Sequence, residues 1–422
     1  MNTRYILLFT LISSLLLSLT GCTLLDPQPR NLEPEWTMAE FELFEEVSPA
    51  SNQWWRDFQS EELNSLMTIV FTDNLSLQEA YARLKQADAS AVKSGEARLP
   101  ELGVNAGYTR TEQETDLGGE TDGRSSTDRY STGLAVTSWE LDLWGRVRAG
   151  NKAAELDRAS AVEDLRTAYL SVSVETVSRW LERQVKNETL NLLQNQLTTN
   201  KKSLELMELR FKYGQSSALD ILQQRQSVAS VQSLIPGVEA DIYSLTNELA
   251  VLAGKPPGTD LGLGSQSIPE LPAIPAPGIP ADVLANRPDV RKAGLALQSA
   301  DWRLTAAKAD RLPAIRLSAS YSFSAGELDP LFSNWMGTLA ASLTGPIFDA
   351  GRRKAEVDRT MAAVDEKLSA YRRTVLEALM EAQNSLIQRS KQAETVVAQT
   401  QQLEAARASW RESINRYRNG SI

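Results

Sequence analysis

The chain has 422 residues, a formal net charge of −10, no histidine and one cysteine. An acidic chain lacks the basic face that meets phosphates, so we expect no nucleic-acid partner. Without an imidazole and without a second cysteine, we expect no metal site, no cofactor and no intrachain disulfide.

The N-terminus has the pattern of a lipoprotein signal peptide. An apolar run over residues 5–19 is too short to span a bilayer comfortably, and Leu19–Cys22 (leucine, threonine, glycine, cysteine) follows directly. Small residues before a cysteine at this place are what lipoprotein signal peptidase requires. We therefore predict that residues 1–21 are removed and that Cys22 carries the lipid, palmitate included; the alternative is a secretory signal in which Cys22 stays unmodified.

Residues 22–50 are acidic and contain several prolines, which predicts an extended, lipid-anchored segment. Thr23 favours the outer membrane, because an aspartate there would favour retention in the inner membrane. After residue 22 no apolar run reaches the length of a transmembrane helix.

Residues 51–254 are predicted to form a first structural repeat. Trp54–Phe58 opens a helical region, and Ser76 with an acid three positions later has the form of a helix N-cap. Beyond Pro100, apolar residues alternate with small polar ones, which predicts strands. The predicted elements are strands over 102–115 and 129–141 around a polar loop at 116–126, a long helix over 145–213, and a returning helix over 217–253 with a kink at Pro236.

A proline- and glycine-rich linker, 255–280, separates this repeat from a second one over 281–422. The second repeat opens with a helix at Arg287-Pro288-Asp289 and shows a cleaner alternation of apolar and polar residues. Its predicted elements are strands over 314–324 and 335–345 and a long helix over 351–418.

The two long helices are copies of each other. Gly145-Arg146 corresponds to Gly351-Arg352 and Arg210–Gly214 to Arg416–Gly420, at a constant separation of 206 residues (351 − 145 and 416 − 210). Such a duplication implies a pseudo-symmetric architecture. The first copy continues into a returning helix whereas the second reaches Ile422, so we expect that a helix of this kind is missing from the second copy.

The strand lengths match those of outer-membrane barrels, whose strands have about 9–11 residues. A soluble antiparallel sheet alternates in the same way and is the alternative. Four strands cannot close a membrane barrel, for which about eight are needed, so several copies would have to pool their strands. Apolar residues at three-to-four spacing on the first long helix predict side-by-side packing into a helical assembly, although the core of an ordinary helical bundle would show the same stripe: Val162, Leu165, Tyr169, Val172, Trp180.

These features together resemble the TolC-type outer membrane factor family, especially its lipoprotein branch of multidrug and metal efflux channels. The resemblance extends over nearly the whole chain. The residues that carry it are Leu19–Cys22, Trp54–Phe58, Arg287–Val290, the Leu-Pro pairs before the strands (Leu99-Pro100 and Leu312-Pro313), Phe348–Arg352, and the turns Arg210–Gly214 and Arg416–Gly420.

The resemblance implies an α+β membrane protein with an internal two-fold repeat. Three copies, with four strands each, would form one outer-membrane β-barrel, continued by a long periplasmic α-helical barrel. The protein would export drugs, toxic compounds or metal ions without converting them, in the outer membrane of a Gram-negative bacterium. Its implied partners are a periplasmic adaptor and an inner-membrane transporter, often of the resistance-nodulation-division type.

In that family the helical tips close the idle channel, and aspartates just after the tip turns contribute to the constriction. Carried onto this chain, the gate residues are Tyr213, Gly214, Asp220 and, in the second copy, Gly420. Asp220 also lies three residues after Ser217, where it can complete a capping box, and both roles can hold.

Two other functions are compatible with parts of the pattern. A periplasmic coiled-coil lipoprotein or adaptor would explain Cys22 and the long helices, but not two pairs of alternating strands. A glycosidase-like enzyme would need paired carboxylates, and no loop concentrates acids with aromatic residues as a sugar site does. We therefore expect no enzymatic activity.

Overall fold

The computed structural model describes residues 53–115, 123–264, 268–270 and 286–418, together with the single positions 27 and 284. It divides into two compact units. The strand unit comprises Leu84–Val162 and Arg291–Thr374, and the tip unit comprises Trp36–Arg83, Glu163–Val290 and Val375–Ile422, as far as these are described. Cys22, Gly420, the segment 28–50 and most of the linker lie outside the described residues.

Four antiparallel strands form one sheet in the order β1-β2-β3-β4. They are β1 (Gly103–Thr115), β2 (Gly123–Leu141), β3 (Ala314–Ala325) and β4 (Trp335–Thr344). In the second hairpin, Ala319 lies opposite Leu339 and Leu317 opposite Ala341, so the two apolar rows seen in the sequence share one face. Among the described residues, one long side of β1 and one of β4 pair with no other strand.

Strand β2 begins at Gly123, earlier than the predicted residue 129. The ladder with β1 continues as far as Thr115 opposite Gly123, through a run of hydroxyl and charged residues that the alternation rule treats as loop. Polar residues with β-branched threonines extend a hairpin when backbone hydrogen bonds are available, even without an apolar face.

The first helical elements are a 3-10 turn at Trp54–Phe58, followed by α1 (Glu61–Asp73) and α2 (Leu75–Glu96). The prediction of Ser76 as the N-cap of α2 is wrong. Asn74 takes that position and its side-chain oxygen accepts a hydrogen bond from the Leu77 backbone N–H. Asparagine and serine are comparable caps, so the pattern alone could not choose between them.

The remaining helices are α3 (Arg146–Lys212), α4 (Ala218–Leu252), α5 (Pro288–Ala309) and α6 (Arg352–Arg418). Pro236 lies inside α4, which continues beyond it. Pro288 occupies the first position of α5, where its missing N–H has no helical partner to lose. None of the described helices combines the length and the apolarity that crossing a membrane requires.

Each unit has its own core. In the tip unit, Val172 and Trp180 of α3 are buried against α1, so part of the predicted stripe belongs to a core within the chain, while Tyr169 stays partly exposed. In the strand unit, a smaller cluster joins α5 to the first part of α6: Leu297, Ala300, Leu304, Val357, Val364.

Candidate functional site

The tip is the turn that joins α3 to α4. Gly214 has a φ of +70°, its N–H donates to the Phe211 carbonyl (3.0 Å), and the Gln215 N–H donates to the Arg210 carbonyl (2.9 Å). This pair of bonds is a Schellman motif, which satisfies helix-end carbonyls and requires a left-handed residue. No atom lies within 4 Å of the place where a Cβ on Gly214 would be, so backbone conformation and not space selects glycine here.

Asp220 closes a capping box at the start of α4. The Ser217 Oγ accepts from the Asp220 N–H (3.2 Å), and the Ser217 N–H donates to Asp220 Oδ2 (2.9 Å). The Ser216 hydroxyl also donates to Oδ2 (3.2 Å). These bonds, the one from the Ser217 backbone above all, lower the pKa of Asp220 from its ordinary value. The predicted role of Asp220 at the start of the helix is confirmed. Its role in a gate stays a prediction, because a gate would need several copies of the chain.

The tip exposes apolar surface next to a polar crevice. Tyr213 is 75% exposed, and Leu219 and Leu222 are exposed as well. Beside them, a crevice of about 410 Å³ is lined by Met207 and by seven polar or charged residues: Arg210, Gln215, Ser216, Asp220, Gln223, Gln224, Ser227. A surface of this kind suits another protein segment better than a small ligand, because it is open and shallow.

A second concave feature lies in the strand unit, where β2 passes into α3. Arg146 makes a two-pronged ion pair with Glu140 (2.8 and 2.9 Å), and Asp142 accepts from the backbone N–H groups of Val147 and Arg148 at the start of α3. The cavity of about 190 Å³ is lined by six charged side chains among others: Glu140, Asp142, Arg146, Asp310, Arg316, Arg353. The arginines and the acids neutralise each other's charge. The cavity is therefore held together by ion pairs and has no uncompensated charge that would attract a substrate.

The tip unit contains a third polar cluster, around Glu62. Its carboxylate accepts from Trp180 Nε1 (2.7 Å), from the Gln184 amide (3.2 Å) and from the Gly264 N–H (2.8 Å). Arg183 completes the cluster by donating to the carbonyls of Leu263 and Gly264 (3.0 and 2.9 Å). Burial lowers the pKa of Arg183, and the nearby Glu62 charge opposes that shift. The hydrogen bonds of this cluster hold the segment that follows α4 against α1 and α3.

The sequence did not identify this cluster. In the sequence, Trp180 belongs to an apolar stripe, and Glu62 is one of 54 acidic residues with no motif around it. Arg287, for which the sequence predicts a place at the start of a helix and in a family motif but no ion pair, holds Asp289 through two bonds (3.1 and 2.7 Å) and Glu381 through a third (2.7 Å). In the described part of the chain, no three acidic or cysteine side chains lie close enough to hold a metal ion.

Comparison with known proteins identifies the family. The family model described as outer membrane efflux protein matches residues 70–255 and 279–422. The pyoverdine export outer membrane protein OpmQ of Pseudomonas aeruginosa is 31% identical over 377 residues, covering 87% of this chain and 78% of that protein. Nodulation protein T of Rhizobium leguminosarum bv. trifolii is 29% identical, covering 87% and 79%. The solved outer-membrane channel OprN superposes with a TM-score of 0.84 at 26% identity, covering 94% of this chain and 89% of that one.

The chain therefore belongs to the outer membrane efflux protein family. It is an outer-membrane efflux component of the TolC-like fold, in the envelope of a Gram-negative cell and extending into the periplasm. The family consists of channels, so the alternative of a pore-free periplasmic adaptor is wrong.

Proposed function

We propose that three copies of this chain form one conduit across the outer membrane and periplasm, working with a periplasmic adaptor and an inner-membrane transporter. The observation that supports this most directly is the sheet of the described residues, which has four strands and two unpaired edges, in a chain of an efflux-channel family. A single sheet of this size cannot enclose a pore, and three copies supply enough strands. Solutes would pass through the lumen unchanged, without catalysis.

The cargo would be small molecules. The relative OpmQ is a pyoverdine export protein, and the wider expectation for this chain covers drugs, toxic compounds and metal ions. The transporter would select among them, because the crevice at the tip is open and shallow, and the charged side chains around the cavity beside Glu140 are paired with each other.

The tip around Tyr213, Gly214 and Asp220 would be the gate and the docking point of the adaptor. The exposed apolar side chains and the open crevice support this assignment. Gly420 would hold the equivalent position in the second repeat. Cys22 would anchor the mature chain in the inner leaflet of the outer membrane, with palmitate as one of its acyl chains.

The test combines conductance with export. Purified protein in a planar bilayer should give discrete openings, and a strain lacking the gene should accumulate at least one exported compound until the gene is restored. A Cys22→Ala variant should lose incorporated palmitate while the Cys22 protein keeps it. A bilayer that stays at baseline current, with protein confirmed in it as an oligomer, would contradict the channel.

A further inference from the structure

The two faces of the sheet differ in their chemistry. Side chains alternate between the faces along each strand, and the registers align the strands, so the residues that share a face can be identified. One face is apolar and aromatic: Val104, Tyr108, Tyr130, Leu134, Tyr321, Leu339. The other is formed mostly by small hydroxyl residues: Thr109, Ser131, Ser320, Ser322, Ser324, Thr338. In the proposed conduit, the apolar face contacts lipid and the polar face lines the passage.

Aromatic residues mark both ends of the apolar face on β2. Tyr130 contacts Tyr108 at one end (ring centroids 4.9 Å apart), and Trp139 lies opposite Leu317 at the other. Nine positions separate Tyr130 from Trp139 (139 − 130), about 30 Å of strand, which covers about 21–25 Å at the usual strand tilt. This is close to the height of the apolar band of an outer-membrane barrel. Because β2 runs from Tyr130 toward α3, Tyr130 lies at the outer interface.

Arg129 lies on the polar face beside this interface. It precedes Tyr130 and is opposite Thr109, so it shares the face of Ser131 and Ser324. Its side chain is exposed. The described acids of the β1-β2 hairpin have the register of the opposite face: Glu112, Glu114, Asp128. Arg129 is therefore separated from these acids by the sheet itself.

The nearest acids have other partners on their own face. Asp128, the neighbour of Arg129 in the chain, accepts a hydrogen bond from the Tyr108 hydroxyl (2.7 Å) and lies 3.9 Å from the Arg110 guanidinium. Glu112 lies 3.3 Å from Arg110 as well. Among the described residues no carboxylate forms an ion pair with Arg129, so its positive charge is uncompensated there.

The inner end of the polar face adds no free negative charge. Glu140 lies opposite Arg316 (3.8 Å between their charged groups) and also pairs with Arg146 (2.8 Å). Among the described strand residues of this face, the charged side chains are Arg129, Glu140 and Arg316. The single carboxylate has two arginine partners and Arg129 has no acidic partner. The net charge of this face is therefore positive, although that of the chain is −10.

We propose that Arg129, with its equivalents in the other copies, gives the outer exit of the conduit a positive potential that favours the passage of anionic small molecules. This inference rests on the proposed conduit and adds a class of cargo, namely compounds with carboxylate, sulfonate or phosphate groups. A guanidinium binds such oxyanions through its fork of N–H donors, and the surrounding hydroxyls bring no competing negative charge. Because Arg129 is exposed, the interaction is weak and allows release.

Charged thiol reagents measure this potential in the full-length protein in outer membranes. Ser131→Cys places a thiol on the same face, about 7 Å along the strand from Arg129. The readout is its rate of modification by anionic sulfonatoethyl methanethiosulfonate divided by the rate with cationic trimethylammonioethyl methanethiosulfonate. Adding Arg129→Gln should lower this ratio about two- to threefold at about 0.15 M salt and about five- to tenfold at about 0.01 M. A ratio that Arg129→Gln leaves unchanged overturns the proposal.

Two further substitutions in the Ser131→Cys protein are the matched controls. Arg129→Lys keeps the charge and should keep the ratio. Arg110→Gln removes an arginine from the same hairpin but from the opposite face, and should lower the ratio less than Arg129→Gln does. An equal effect of Arg110→Gln overturns the role of Arg129. The unsubstituted chain, with Cys22 as its cysteine, gives the background rate.

A thiol on the apolar face distinguishes a failure of this inference from a failure of the conduit. Leu134→Cys should react with neither reagent in membranes, because lipid covers that face in the proposed conduit. If Leu134→Cys reacted as fast as Ser131→Cys, the conduit itself would be contradicted. If Ser131→Cys alone reacted and its ratio ignored Arg129, the conduit would stand and the proposed potential would not.

The current through the channel tests the consequence for cargo. In a planar bilayer under a gradient of dilute KCl, Arg129→Glu should lower the permeability ratio of chloride to potassium by about fivefold and shift the reversal potential accordingly. Arg129→Lys should leave the reversal potential where it is. Identical reversal potentials for the wild-type chain and Arg129→Glu overturn the selectivity, while the openings themselves keep the channel function.

Discussion

The Glu62 cluster should control the stability of the tip unit. In Glu62→Ala, Trp180 Nε1 loses the carboxylate that accepts its hydrogen bond, and Trp180 is fully buried. A buried donor left unsatisfied costs about 1–3 kcal/mol, and this is the expected loss. The Gly264 N–H is exposed and water can replace the carboxylate there, so it adds little.

Hydrogen exchange measured by mass spectrometry is the suitable assay, because it follows the opening of each of the two compact units separately. Exchange should accelerate in α1, in α3 around Trp180 and in the segment 261–264, and stay unchanged in the strand unit. Glu62→Gln keeps an acceptor oxygen and should recover part of the protection.

Glu61→Ala is the control for this experiment. Glu61 is exposed in the first turn of α1, where its interaction with the helix dipole contributes about 0.3–1 kcal/mol. If Glu62→Ala accelerated exchange no more than Glu61→Ala, the Glu62 carboxylate would not be the acceptor that stabilises this cluster, and the prediction would be refuted.

Three further predictions concern the tip and the start of α5. Arg287→Lys keeps the charge but loses the fork that holds two carboxylates, and should cost about 1–3 kcal/mol, visible as faster exchange in the first turn of α5. Gly214→Ala should cost about 1 kcal/mol because of its positive φ, visible as faster exchange of the tip amides, whereas Gly237→Ala inside α4 should gain about 0.5–1 kcal/mol, visible as slower exchange in α4. The contribution of the Asp220 cap to stability should be present at neutral pH and be lost only as the pH falls through the lowered pKa of Asp220. The loss should be visible as faster exchange of the tip amides. Asp220→Asn should abolish that pH dependence.

The sequence predicts elements best where local rules and burial act together. In β3 and β4 the apolar rows alternate cleanly, and the strands begin at the predicted Ala314 and Trp335. At β2 the rule underestimates the strand, because residues 123–128 pair through backbone hydrogen bonds and present no apolar face. Hydrogen bonding between backbones carries no sequence pattern of its own.

The polar clusters show the opposite limit. Glu62 and Trp180 are 118 positions apart in the chain, and only the packing of α1 on α3 brings them together. A capping box, by contrast, is local, so Ser217 and Asp220 could be paired from their spacing alone. A contact can be predicted from the sequence when its two residues are a few positions apart, because a short spacing fixes their relative geometry. A long spacing does not fix it.

The two roles predicted for Asp220, in the gate and in the helix cap, shift its pKa in opposite directions. In a gate where several copies converge, neighbouring carboxylates would repel one another and raise the pKa of each. Within each chain, the N–H of Ser217 and the hydroxyl of Ser216 bind the charged form and lower it. Asp220 is exposed, so water and salt screen the repulsion between copies, whereas the hydrogen bonds within the turn persist. The cap should therefore dominate, keep the tip charged at neutral pH, and shift any response of the gate to more acidic conditions than repulsion alone would give.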